Sequence, residues 1–108
     1  MVQARFEVVV IVVSDTSPIT NLAAINQLNL LQRLYTRLVI PTAVYNEMVR
    51  VDKLVPGAVE VQTLPWIQTQ TVAASQQVKL LRESQENIDL GEAEAIILAL
   101  SIQYHCTI

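Results

Sequence analysis

Cysteine occurs once in these 108 residues, glycine twice and proline four times, and charged side chains make up only 16%. The single Cys106 excludes an internal disulfide and sets a reducing compartment as the expectation. No glycine-rich loop is present, which argues against P-loop and dinucleotide-binding folds. With so few chain breakers the elements should be long and the linkers few. Low charge combined with 52% hydrophobic residues argues against disorder and for a compact, apolar-rich fold. An excess of basic residues is also missing: 7 Lys and Arg stand against 10 Asp and Glu, a net charge of −3. There is thus no general pull toward phosphate backbones, and a nucleic-acid substrate would need a local basic patch or bridging cations. The apolar run Val8–Val13 is too short to span a bilayer. As a signal-peptide core it is poor, because Asp15 and Pro18 follow where a small-residue cleavage site belongs. One cytoplasmic domain over residues 1–108, with no membrane partner, is the expectation.

That apolar run is nonetheless the most informative stretch of the chain. An unbroken Val/Ile segment ending in Ser14-Asp15-Thr16-Ser17-Pro18 reads as a strand buried on both faces, the centre of a parallel sheet. Ser17 suits a helix N-cap and Pro18 a first helical position. Asp15 then falls at the carboxyl end of a central strand, where open α/β sheets place their chemistry. Helical spacing follows from Pro18 to about Tyr35, with Asn26 as a break between two short helices. Arg37–Ile40 reads as a second strand, and Pro41 opens a helix to about Arg50. Val51–Thr71 is less regular, with a turn at Pro56-Gly57, a short helix after it and an extended piece over 64–67. Helices are predicted over about 73–84 and 89–103, then a strand from His105 to Ile108. Alternation of this kind predicts a three-layer α/β/α fold around a mainly parallel sheet.

Three carboxylates stand out. Asp89 and Glu92 have the spacing of a capping box, a structural role. Glu94 projects about 160° away from Glu92 around the helix. Beyond it the helix is apolar almost all round from Ala95 to Leu100, which predicts burial on most sides. A carboxylate entering such surroundings is costly unless paired or bound to a cation, whereas a place in the exposed first turn would suit the helix dipole. Glu47 lies one turn after Ala43 and Val44, at the edge of the face expected to pack on the sheet. Asp15, Glu47 and Glu94 would converge at the carboxyl edge, where their mutual repulsion calls for a hard cation such as Mg²⁺ or Mn²⁺. Such a cation lowers the pKa of bound water and polarises phosphoryl oxygens, chemistry suited to phosphodiester hydrolysis.

Three strings, in order, resemble the PIN-domain family: Val13-Ser14-Asp15-Thr16-Ser17-Pro18-Ile19-Thr20-Asn21-Leu22, Val39-Ile40-Pro41-Thr42-Ala43-Val44-Tyr45-Asn46-Glu47, and Leu90-Gly91-Glu92-Ala93-Glu94-Ala95-Ile96. The likeness runs from about Val8 to the end and is nearest to the bacterial and archaeal subgroup of nucleic-acid-binding or toxin–antitoxin-type nucleases. It implies a metal-dependent ribonuclease in which acidic residues hold Mg²⁺ or Mn²⁺ and activate water. Asp15 matches the first acidic position, Glu47 the second and Glu94 the third, with Glu92 the fallback and Thr16 or Ser17 as supporting hydroxyl. The partners implied are RNA and an antitoxin protein that occludes the acidic pocket. The family continues past the strand near His105 with a further acidic residue, a helix and a final strand. The resemblance therefore implies a truncated sheet with an open edge, and self-association as one way to cover it. A non-catalytic interaction or oligomerisation module is the alternative. An aspartyl phosphotransferase is a third reading, which fails because Ser17 stands where a second Asp is needed.

Among single residues, His105 reads as a core or surface histidine and Cys106 as a small buried hydrophobe. Trp66 reads as an anchor of the irregular region. Arg33, Arg37, Arg50 and Lys53 form either a modest phosphate-contacting patch or a solvated surface.

Overall fold

The computed structural model describes residues 10–50, 52, 54–85, 87–102 and 105–108, with the backbone alone at 105–107. Four parallel strands are ordered β3-β2-β1-β4: β1 (Ile11–Val13), β2 (Arg37–Pro41), β3 (Ile67–Gln70) and β4 (His105–Thr107). The predicted α/β/α layering holds. On one face Val12, Leu38 and Ile40 pack with Ile19, Leu31, Val44, Met48 and Val61, residues of helices α1 (Thr16–Ala24), α2 (Asn29–Leu34), α3 (Thr42–Met48) and α4 (Ala58–Thr63). On the other face Val13 and Val39 pack against Ala95, Leu98 and Ala99 of α6 (Leu90–Ser101), which in turn meets α5 (Ser75–Ser84). Successive strand residues point to opposite faces, so a strand between two helical layers must be apolar at every position. Val12 and Val13 are both fully buried. Val8 and Val9 lie outside the described residues.

Several local expectations are revised. The first helix begins at Thr16 and is capped by Asp15, not Ser17, because the Asp15 carboxylate accepts the Thr16 N–H at 2.8 Å. Pro18 falls at the third helical position, still among the N–H groups that have no partner within the helix. Pro41 likewise ends β2 and caps α3 instead of opening it, and α3 stops at Met48. The break at Asn26 is real, since its φ of 56° cannot continue a helix. Gly57, at φ 93°, turns the chain into α4 with Met48 and Ile19 packed against it, a position that favours a residue without a β-carbon. The extended piece expected over 64–67 forms later, as β3 over Ile67–Gln70. Finally, α6 is not buried all round: Ile96 is 40% and Leu100 76% exposed. Apolar periodicity reports composition around a helix, not how many of its sides find a neighbour. Gln103, the expected helix end, lies outside the described residues.

Candidate active site

The connections make Asp15 a special position. From β1 the chain moves through β2 to β3 on one side, and β4 is placed on the other side of β1. The strand order therefore reverses between β1 and β4, and ligands of open α/β sheets bind outside the carboxyl ends of the strands at such a reversal. Asp15 stands there. Its N–H donates to the Ile108 carbonyl at 3.1 Å, Ile108 N–H donates back to Val13 at 2.9 Å, and Ser14 N–H reaches Val39 at 3.0 Å. Ser14 is fully buried and its hydroxyl donates to the Asp15 carbonyl at 2.7 Å. The backbone of this residue is held on every side.

Its side chain is half-buried, and the surroundings are acidic. Burial pushes the Asp15 pKa above its ordinary value of 3.8; the Thr16 N–H opposes this, and the charges of Asp89, Glu92 and Glu47 push it further up. Each neighbour is delivered by its own element. Glu47 projects from α3 and accepts the Thr16 hydroxyl at 3.0 Å, tying α3 to α1. Asp89 caps α6, its Oδ1 accepting the Glu92 N–H at 2.8 Å, which is the expected capping interaction. Gly91 keeps the approach close: a β-carbon there would lie 3.3 Å from Asp15 Oδ1, 3.3 Å from Val44 and 3.5 Å from Asp89 Oδ1. A cleft of about 380 Å³, lined by Ala43, Glu47, Arg50, Asp89 and Gly91 among others, opens beside Glu47 and Asp89 of this group.

Glu94 takes a different direction from Glu92, in keeping with their angular separation. Its Oε1 accepts the Ala43 N–H at 3.0 Å and so caps α3, beside the same cleft. The structure thus sets Asp15 among the charges of Asp89, Glu92 and Glu47, while Glu94 holds the start of α3 and lines a neighbouring cavity. Thr16 has its hydroxyl on Glu47, while Ser17 is exposed. Asp89 is the site residue that sequence reasoning passed over. Its capping role accounted for it fully, and only the fold reveals that the same carboxylate also faces Asp15.

The basic residues are dispersed. Arg33 and Arg37 lie at the amino ends of the strands, opposite the acidic cleft. Arg50 is bound to Asp52 by two hydrogen bonds of 3.2 and 3.0 Å. Lys53 lies outside the described residues, as do the side chains of His105 and Cys106. Trp66 packs on the core beside β2, as an anchor would.

As donors, this cluster offers carboxylate and hydroxyl oxygens, the set that hard cations prefer. Among the described residues no three acidic groups stand close enough to form a closed cage. Mg²⁺ does not need one, since it is commonly held by one or two carboxylates and retains its waters. Asp15 and Asp89 approach the same face of Gly91, their Oδ1 atoms 3.3 and 3.5 Å from where a β-carbon would stand, and they are the two carboxylates that would serve such an ion.

Fold and site together define an open parallel α/β protein with an acidic cleft at its switch point. A family model described as PIN domain (DUF3368) matches residues 11–108, and the chain belongs to this family. Membership brings with it a nuclease-type function in general terms. Comparison with curated proteins and with solved structures returns no match. No helix among the described residues is long and apolar enough to cross a membrane.

Proposed function

We propose that the chain is a divalent-metal-dependent endoribonuclease of PIN type. The observation that carries this reading is the placement of Asp15: a half-buried carboxylate at the sheet's switch point, with Asp89, Glu92 and Glu47 delivered beside it by separate helices. Repulsion among these carboxylates is relieved by a cation. Asp15 and Asp89 would hold Mg²⁺ or Mn²⁺ from two sides, with Glu47, Glu92 and the remaining oxygen of Glu94 completing the acidic wall. When bound, the cation supplies positive charge that polarises a phosphoryl oxygen and makes water more acidic. The protein's own groups do the positioning. Thr16 fixes Glu47 by its hydroxyl, Gly91 admits Asp15 and Asp89 to one another, and Glu94 sets α3 against α6. Following the resemblance, the substrate is RNA and the biological setting a toxin–antitoxin pair in which a partner protein covers the cleft.

The test is cleavage of single-stranded RNA with Mn²⁺ or Mg²⁺ by wild type and by Asp15→Asn. The wild type should cleave and the variant should lose activity by 10²-fold or more, as is typical when a group stabilising the transition state is removed. Equal cleavage by the two, or none by the wild type at saturating metal, rejects the proposal in favour of a non-catalytic interaction module.

A further inference from the structure

A second and larger cavity lies beside the acidic cleft. It occupies about 730 Å³ between α5, the α5–α6 turn and the start of α6, within the range of sites that bind small organic groups, about 300–1,000 Å³. Its apolar lining comes from Val72, Val78, Ile88 and Leu90. Leu90 also lines the acidic cleft, so one side chain forms the ridge between the two spaces. Lys79 and Arg82 line it as well, three residues apart on α5 and therefore neighbours on its surface. Neither forms an ion pair among the described residues. Glu83 and Glu94 line the same cavity, and Glu94 has one oxygen turned to the Ala43 N–H. Ser75, Gln85 and Asn87 add neutral polar groups to the lining, so Lys79 and Arg82 are the cations of a cavity that adjoins an acidic site.

We propose that this cavity seats the nucleoside next to the scissile phosphate of a single-stranded polynucleotide, with Lys79 and Arg82 taking the following phosphate. The inference rests on the nuclease reading for its choice of a polynucleotide. The distribution of chemistry along the two spaces supports it. The scissile phosphate, which needs a cation, lies over the carboxylates; the sugar and base pass Leu90 into a lining of valine, isoleucine and side-chain amides; the next phosphate meets Lys79 and Arg82. No aromatic side chain lines the cavity for a base to stack on, and the side-chain amides of Gln85 and Asn87 are the groups that would meet a base edge.

Binding measured without metal separates this proposal from catalysis. A short labelled oligouridylate is titrated by fluorescence anisotropy in EDTA against wild type, the double variant Lys79→Glu/Arg82→Glu, and a control, Arg33→Glu/Arg37→Glu. The control makes the same change in net charge at the opposite edge of the sheet. The α5 variant should bind about tenfold or more weakly, and its salt slope should fall by about 1.4, two phosphate contacts at 0.7 each for a single strand. The control should bind as wild type does. Equal weakening by both variants, unchanged binding by the α5 variant, or no binding by wild type overturns the proposal. If wild type fails to cleave but the binding pattern holds, the nuclease reading falls alone. If cleavage holds and the α5 variant binds normally, the cavity assignment falls alone.

Discussion

Asp15 performs two tasks that pull against each other. As an N-cap it should be charged, since an anion at a helix N-terminus is favourable. As the centre of an acidic group it is partly desolvated and, to a lesser degree, repelled by Asp89, Glu92 and Glu47, and these outweigh the cap. The folded state therefore holds the Asp15 proton more tightly than the unfolded chain does. Stability from this residue is greatest in acid and declines as pH rises above 3.8, because ionisation then costs more in the folded state. Asp15→Asn keeps an equally good capping oxygen and removes the charge. In metal-free buffer it should melt above wild type at pH 7, and the gap should close as pH approaches 3.8; thermal denaturation across pH measures both. A variant that melts below wild type at neutral pH would mean that the charge is already balanced.

At the scale of elements, the site depends on two helix N-termini facing one another. Glu94 of α6 caps α3, and α3 in turn presents Glu47 to Thr16 at the start of α1. Losing the Glu94 acceptor leaves the Ala43 N–H without its partner. Glu94→Ala should destabilise by about 1 kcal/mol or somewhat more, the usual cost of a lost cap. Glu94→Gln retains an acceptor oxygen and should stay within about 0.5 kcal/mol of wild type by urea denaturation. If Glu94 contributes its charge to the acidic wall, Glu94→Gln should nonetheless lose cleavage while remaining folded. Activity retained in Glu94→Gln but lost in Glu94→Ala would make it a positioning residue only. The sequence marked Glu94 as unusual on the strength of its apolar successors. Its partner on another helix, 51 residues away along the chain, was not legible, because no local pattern encodes which helix end a side chain will meet.

At the scale of the whole molecule, the concentration of like charge at one sheet edge links folding to cation binding. A ligand that binds the folded state alone raises stability by RT ln(1 + [L]/Kd), about 2.7 kcal/mol at a hundredfold excess over Kd. Mg²⁺ or Mn²⁺ should therefore raise the melting temperature of wild type, EDTA should reverse it, and Asp15→Asn should respond far less; an equal shift in both would place the cation elsewhere. What the sequence determined by itself was the layering. A strand apolar at every position must have helices on both faces, as Val12 and Val13 do, and the breaks at Asn26 and Gly57 follow from backbone preferences carried by single residues. It also placed Asp15 at a strand end and Asp89 at a helix start, since both are local matters of capping and periodicity. Only the tertiary structure decided that these two carboxylates face one another, that Glu94 reaches the start of α3, and that Leu100 stays exposed. Each of those depends on which surfaces the chain brings together over long sequence distances. Hydrophobic periodicity specifies that a face must be covered, but the covering partner is chosen by the packing of the whole fold.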